Sequence, residues 1–249
     1  MNQRPLILLS ILLSLTLPAC TGTRLPESRN AEHYLREGES MFDRGLFEEA
    51  ITNWEKVRDS YYSPELNIIA EMKIAEAYYR AEMYPESTAA YEDFLKQHPN
   101  HKRVPDAMYN LGLAYYAQVL APDRDQTATR NAMVTFREFA KRYPNDRGRT
   151  EQAKVFADRC EDRLAQHELV VGRYYLNRDN YPAAINRFKS IFVKYPNFYE
   201  RDEAWYLLGR TYLLNGQKEQ AVEAFNTLYK QFPVSRFILD AQKTMEKYY

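Results

Sequence analysis

A small residue recurs in this chain at a fixed distance ahead of a second small residue. Gly38 is followed by Ala50, Ala75 by Ser87, Gly172 by Ala184 and Gly209 by Ala221, twelve residues apart each time. Four residues beyond each second member stands a large aromatic: Trp54, Tyr91, Phe188 or Phe225. A bulky apolar residue follows three further on, as Val57, Phe94, Ile191 or Leu228. Spacings of three and four mark one face of an α-helix. Each set therefore predicts two antiparallel helices, in which the small residue of the first admits the large ring of the second. Pro99, Pro144, Pro196 and Pro233 close the second helix of four units, since proline cannot donate the next helical hydrogen bond. A helix pair of this kind keeps an apolar edge that only a neighbour can cover, so the pairs must stack into a superhelix. Just 8 glycines against 21 tyrosines also point to helices separated by large side chains rather than to a β-rich fold.

These positions resemble the tetratricopeptide repeat, and the fifth copy, WYLLGRTY, carries even the tryptophan, Trp205. The family period is about 34 residues. Here Gly38, Ala75 and Gly112 follow one another at 37, as do Gly172 and Gly209, so longer turns are expected. The predicted fold is all-α, a superhelix of five helix-turn-helix units. The third unit departs from the rule: Gly112 and Ala132 lie 20 residues apart, and the excess is the stretch LAPDRDQTATR. In it Asp123, Arg124 and Asp125 follow Pro122, and Thr127 or Thr129 is the expected cap of the helix carrying Ala132, Phe136 and Phe139. A second departure follows. Pro144 to Gly172 spans 28 residues, against 13 from Pro99 to Gly112. The added residues keep a helical apolar pattern (Ala153, Phe156, Cys160, Leu164, Val171) and would lengthen a helix by roughly 22 Å. Two lobes joined by that long helix are expected. Residues 31–146 hold repeats 1–3; residues 147–249 hold the connecting helix, repeats 4–5 and a closing amphipathic helix.

The first twenty residues, MNQRPLILLSILLSLTLPAC, differ in kind. An apolar run from Leu6 to Leu17 follows Arg4; it is shorter than the roughly 20 residues that span a bilayer, and suits a secretory signal. LPAC resembles the bacterial lipobox. Residues 1–19 are thus expected to be a lipoprotein signal peptide, Cys20 the lipidated residue, and residues 20–30 a polar tether. Three acyl chains would anchor stably. Gly22, second after the cysteine and not Asp, resembles the sorting signal for the outer membrane, on its periplasmic face. Cys160, the other thiol, falls in a helical apolar stripe and is expected to be buried and inert.

Equal numbers of basic and acidic residues, 34 each, argue against a nucleic-acid partner, which demands a basic excess. No nucleophile elbow, zinc-binding helix or phosphate loop is present. His98 and His101, in HPNH, read as turn residues rather than metal ligands. No catalytic residue, metal or cofactor is expected apart from the lipid on Cys20. What remains is surface. The first helix of each pair should line the concave side, where helical spacing places Met72, Glu76 and Tyr79, then Asp106, Tyr109, Leu113 and Tyr116. In the doublets Tyr78-Tyr79 and Tyr115-Tyr116 one ring fits the packing position and the next turns about 100° away. Met72, Tyr79, Tyr109 and Tyr116 are accordingly the candidate substrate groove, with Leu176 as a further position. Aromatic hydroxyls beside exposed backbone suit extended, aromatic-rich peptides.

Taken together, lipobox, five repeats, stretched third unit and long middle helix resemble the BamD/ComL family, the outer-membrane lipoproteins of the β-barrel assembly machinery. DRDQTATRNAMVTFREFAKRYPN and DRLAQHELVVGRYYLNR carry that resemblance most specifically. It implies a non-catalytic adaptor whose amino-terminal repeats engage nascent outer-membrane β-barrel proteins. Its carboxy-terminal repeats would dock onto a POTRA domain of BamA, beside the other lipoproteins of that complex. By the same resemblance Asn186 and Arg187, in AAINRF, are the partner-binding pair, with Arg187 meeting an acidic POTRA residue. Asp123, Arg124 and Asp125 become a structural corner or contact surface. The alternative is another periplasmic tetratricopeptide lipoprotein, such as a secretin pilotin or a cell-envelope and cell-division coordinator. Those generally keep even repeats, so the Asp-Arg-Asp loop discriminates.

Overall fold

The structure, a computed structural model, describes residues 27–60 and 63–249. The expected signal peptide, the lipidation site Cys20, Gly22 and residues 20–26 of the tether lie outside the described residues, while Glu27 to Asn30, expected in the tether, open the first helix. Among the described residues there are eleven α-helices and no strand. They are α1 (Glu27–Asp43), α2 (Phe47–Arg58), α3 (Pro64–Arg80), α4 (Tyr84–Gln97), α5 (Val104–Ala117) and α6 (Thr127–Arg142). Then come α7 (Arg147–Leu176), α8 (Tyr181–Lys194), α9 (Arg201–Leu214), α10 (Lys218–Gln231) and α11 (Ile238–Tyr248). The first ten form five successive pairs of the tetratricopeptide kind, and α11 packs mainly on α9.

The spaced small residues do what their pattern predicts. A Cβ added to Gly38 would run into the Trp54 indole, and one on Gly172 into the Phe188 ring. At Gly112 and Gly209 it would lie 2.7 and 2.6 Å from the rings of Phe136 and Phe225. Trp54, Phe136, Phe188 and Phe225 are all buried, as is Tyr91 in the cluster with Ala75, which makes these ring-on-small-residue contacts the repeated core of the stack.

The turn inside each pair also repeats. The amides of Leu46, Met83, Asn180 and Gln217 donate to the carbonyls of Met41, Tyr78, Tyr175 and Tyr212, closing each first helix with a six-to-one bond. The residue before each of those amides is left-handed: Gly45 (φ 77°), Glu82 (φ 60°), Asp179 (φ 56°) and Gly216 (φ 75°). The third pair lacks this turn because its long loop replaces it.

Curvature follows from which helices touch. Each odd-numbered helix contacts the next odd-numbered one, from α1 with α3 through to α9 with α11. Among the described residues no such contact joins α2 to α4, α4 to α6, α6 to α8 or α8 to α10. The odd helices therefore form the close-packed inner layer and the even ones splay apart outside. The expected extra length resides in α7, whose 30 residues span roughly 45 Å. Its first half packs against α6 and its second half is the first helix of the fourth pair, through Gly172. Cys160 lies buried on α7, facing Phe136 and Phe139, with its thiol pushed up to about 12 by burial.

Candidate functional site

On the inner layer two recesses meet at Leu113 of α5. One, of about 170 Å³, is lined by Glu76, Tyr79, Arg80, Tyr91, Asn110 and Leu113. The other, shallower and of about 460 Å³, is walled by Tyr109, Gln152, Val155, Phe156 and Arg159. Tyr79 is half-buried, set edge-on to Tyr84 with ring centroids 5.5 Å apart, and burial raises its hydroxyl above the usual tyrosine value. At the back of the smaller recess the Asn110 amide donates to the Tyr91 hydroxyl at 3.2 Å. The result is a trough of mixed lining, in which Tyr79, Leu113, Val155 and Phe156 stand among Glu76, Arg80, Glu151 and Arg159.

Not every predicted groove residue reaches this trough. Met72 is a correction: it is 7% exposed and packs with Ala75, Tyr91, Phe94, Ala107 and Leu111. A long apolar side chain on the third turn of α3 is drawn into the seam between α3, α4 and α5, and helical phase alone does not reveal that. Tyr109 is also more enclosed than expected, at 8% exposure. Its hydroxyl donates to Gln152 Oε1 at 2.6 Å and its ring meets Phe136 and Phe139, so it offers the trough only an edge. Tyr116 is half-buried against Phe156, 4.7 Å between centroids, and serves packing. Leu176, 5% exposed, is core. Asp106 is bound to Arg149 Nη1 at 2.6 Å, pinning α5 to the start of α7. Leu113 keeps its predicted place, and Val155, Phe156 and Arg159 enter from α7, which the repeat pattern had assigned only a connecting role.

The loop of the third unit is a built corner. Asp123, Arg124 and Asp125 are all exposed, while the neighbouring Gln126 is 2% exposed. Gln126 Nε2 donates to the carbonyls of Ala121 (2.9 Å) and Arg124 (3.0 Å), and its Oε1 accepts from the buried Thr129 hydroxyl at 2.9 Å. From α7, His167 Nδ1 donates to the Pro122 carbonyl at 2.6 Å, which places the ring proton on that nitrogen. The predicted threonine cap is corrected: Asp125 accepts from the Thr127 amide at 2.9 Å and from its hydroxyl at 3.2 Å. A carboxylate outcompetes a hydroxyl for a helix's unpaired amides. Those bonds, the amide first, hold the Asp125 carboxyl below its ordinary value.

The third candidate lies on α8. Asn186 is exposed, and Arg187 extends over the side of α7. There Arg187 Nη1 donates to Glu168 Oε2 at 3.1 Å; the Glu168 side chain is only 9% exposed. Lys194 Nζ is 3.9 Å from the other Glu168 oxygen. Sequence reading missed Glu168, because one acid among 34 gives no sign that it will be buried. His167 and Glu168 are consecutive, so the Asp-Arg-Asp corner and the Asn186–Arg187 face are fastened to neighbouring points of one helix. His98, expected in a turn, caps the end of α4 and pairs with Glu71 at 2.7 Å. No group of three or more potential metal ligands occurs among the described residues.

Known proteins share this sequence pattern. Curated relatives named outer membrane protein assembly factor BamD include one from Caulobacter vibrioides, 28% identical over 97% of this chain and 81% of its own. Another, from Neisseria meningitidis, is 27% identical over 94% of each chain. Among solved structures, the TPR2AB-domain:pHSP90 complex of yeast Sti1 is similar with a TM-score of 0.44 and 14% identity, covering 88% of this chain and 86% of that one. The two BamD relatives bear out the BamD/ComL resemblance. No helix among the described residues is long and apolar enough to cross a membrane. The profile of YfiO, described as outer membrane lipoprotein, matches residues 27–220, from the first helix into the fifth repeat, and the chain belongs to that family.

Proposed function

We propose that this chain is a non-catalytic assembly factor for β-barrel outer-membrane proteins, held at the periplasmic face of the outer membrane by lipid on Cys20. Its first three repeats receive unfolded precursor segments in the trough around Leu113. Its last two dock through Asn186 and Arg187 onto a POTRA domain of BamA, with the other lipoproteins of that complex alongside. The observation that carries this reading is the trough itself: two open recesses joined at Leu113 on the inner layer, with Tyr79, Val155 and Phe156 as their apolar walls. Such a surface suits an extended peptide, whose aromatic side chains fill the recesses while its backbone finds the polar groups among them. The relatives' shared name supports the same process.

Two measurements test it. Purified mature protein should bind peptides from the last strand of a barrel precursor, and Leu113→Asp should weaken that binding about tenfold or more, as expected for a central apolar contact. Crosslinking in native membranes should recover BamA. Absence of both outcomes overturns the reading.

A further inference from the structure

The α8 face holds more than the Asn186–Arg187 pair. Ala183, Arg187, Ser190 and Lys194 follow at intervals of four, three and four, a single stripe along the helix. With Asn186, and with Glu168 and Tyr175 of α7, they line one depression of about 370 Å³ in the outer layer. Arg187 and Lys194 are seven residues apart, which is roughly 10 Å along the axis. Their side chains are 41% and 57% exposed, whereas the carboxylate they share, Glu168, is almost fully enclosed. Glu168 is the only acid within 4 Å of either cation among the described residues. Two accessible cations thus share one buried anion and leave a net positive charge. The 3.1 Å contact engages one guanidinium nitrogen, leaving the rest of the planar fork to face outward.

We propose that this stripe, and not Arg187 alone, is the docking surface, and that Lys194 is its second anchor. The occupant is an acidic patch of the periplasmic partner, with one carboxylate on Arg187 and a second, neighbouring one on Lys194. The inference rests on the reading that Arg187 docks the partner and adds a second cation to that contact. Ala183 keeps one end of the stripe low, and the Ser190 hydroxyl, turned back to the Arg187 carbonyl at 2.9 Å, leaves the middle uncrowded. The shared Glu168 restrains both cations, so a matching pair of carboxylates meets preplaced partners.

The test uses the full mature chain and the periplasmic part of the host's BamA, titrated at several salt concentrations. Lys194→Glu should weaken binding about tenfold and flatten its salt dependence, as loss of an interfacial charge does. Lys189→Glu serves as a control, since Lys189 is exposed on another face of α8. It changes net charge equally and should leave affinity nearly unaltered. Thermal melts verify that each variant is folded, and Lys194→Gln, which sets no second acid beside Glu168, should weaken binding in the same direction. If Arg187→Gln weakens binding but Lys194→Glu does not, the two-anchor surface is wrong while the docking reading stands. Equal losses from Lys194→Glu and Lys189→Glu also overturn it, because general attraction would then suffice. Should neither Arg187→Gln nor Lys194→Glu matter, the docking reading itself fails.

Discussion

The glycines of the first helices and the rings opposite them show how far a single atom matters. At Gly209 an added methyl would stand 2.6 Å from the Phe225 ring, and Phe225 is 1% exposed, so the ring has no room to retreat. Overpacking of this kind costs about 1–3 kcal/mol, more than the roughly 1 kcal/mol that alanine gains over glycine in a helix. Gly209→Ala should therefore lower the urea midpoint. Gly148, near the start of α7, meets nothing within 4 Å, and Gly148→Ala should raise stability by about 0.4–1 kcal/mol. The pair separates steric need from conformational cost. Cys160 gives a second residue-level prediction. Its thiol is buried and pushed up to about 12, so at pH 8 it should resist maleimide in the native state and react only when urea unfolds the chain.

Single elements explain what the sequence did and did not disclose. The ring-on-glycine pairs were legible because their spacing repeats, and the long α7 was legible because its apolar pattern continues through the added residues. Where the third unit stretches was plain as well; what holds it was not. A glutamine reads as surface, yet Gln126 is the centre of the corner, with three hydrogen bonds inside the fold. Replacing it with alanine strands two carbonyls and a hydroxyl, and should cost about 1–3 kcal/mol. Hydrogen exchange should quicken through residues 121–129 before it changes elsewhere. Met72 and Tyr116 were misplaced for a related reason. Helical phase tells which side a residue faces, but whether a neighbouring helix covers that side depends on stacking, which one helix's pattern does not contain. Glu168 shows the same gap in reverse, a charge that burial and two cations make structural.

Across the molecule, contacts run almost wholly between neighbours in the chain, so stability is a sum of pairs and the seams between them. On the last pair α11 places Ala241 and Met245 against the cluster of Leu213, Phe225 and Leu228. Deleting residues 238–249 should uncover that cluster, lower the melting temperature and bring on aggregation visible in light scattering. The first pairs should remain the most protected in hydrogen exchange. The unbroken α7 has its own effect at this scale. Its early turns supply Gln152, Phe156 and Arg159 to the trough, and its later turns carry Glu168 beneath Arg187. No joint intervenes along those 30 residues. On the proposed function the helix would act as a ruler: a client lodged at one mark and a partner docked at the other would be kept at a constant interval, and delivery would proceed by handing the client across that gap rather than by folding the carrier shut.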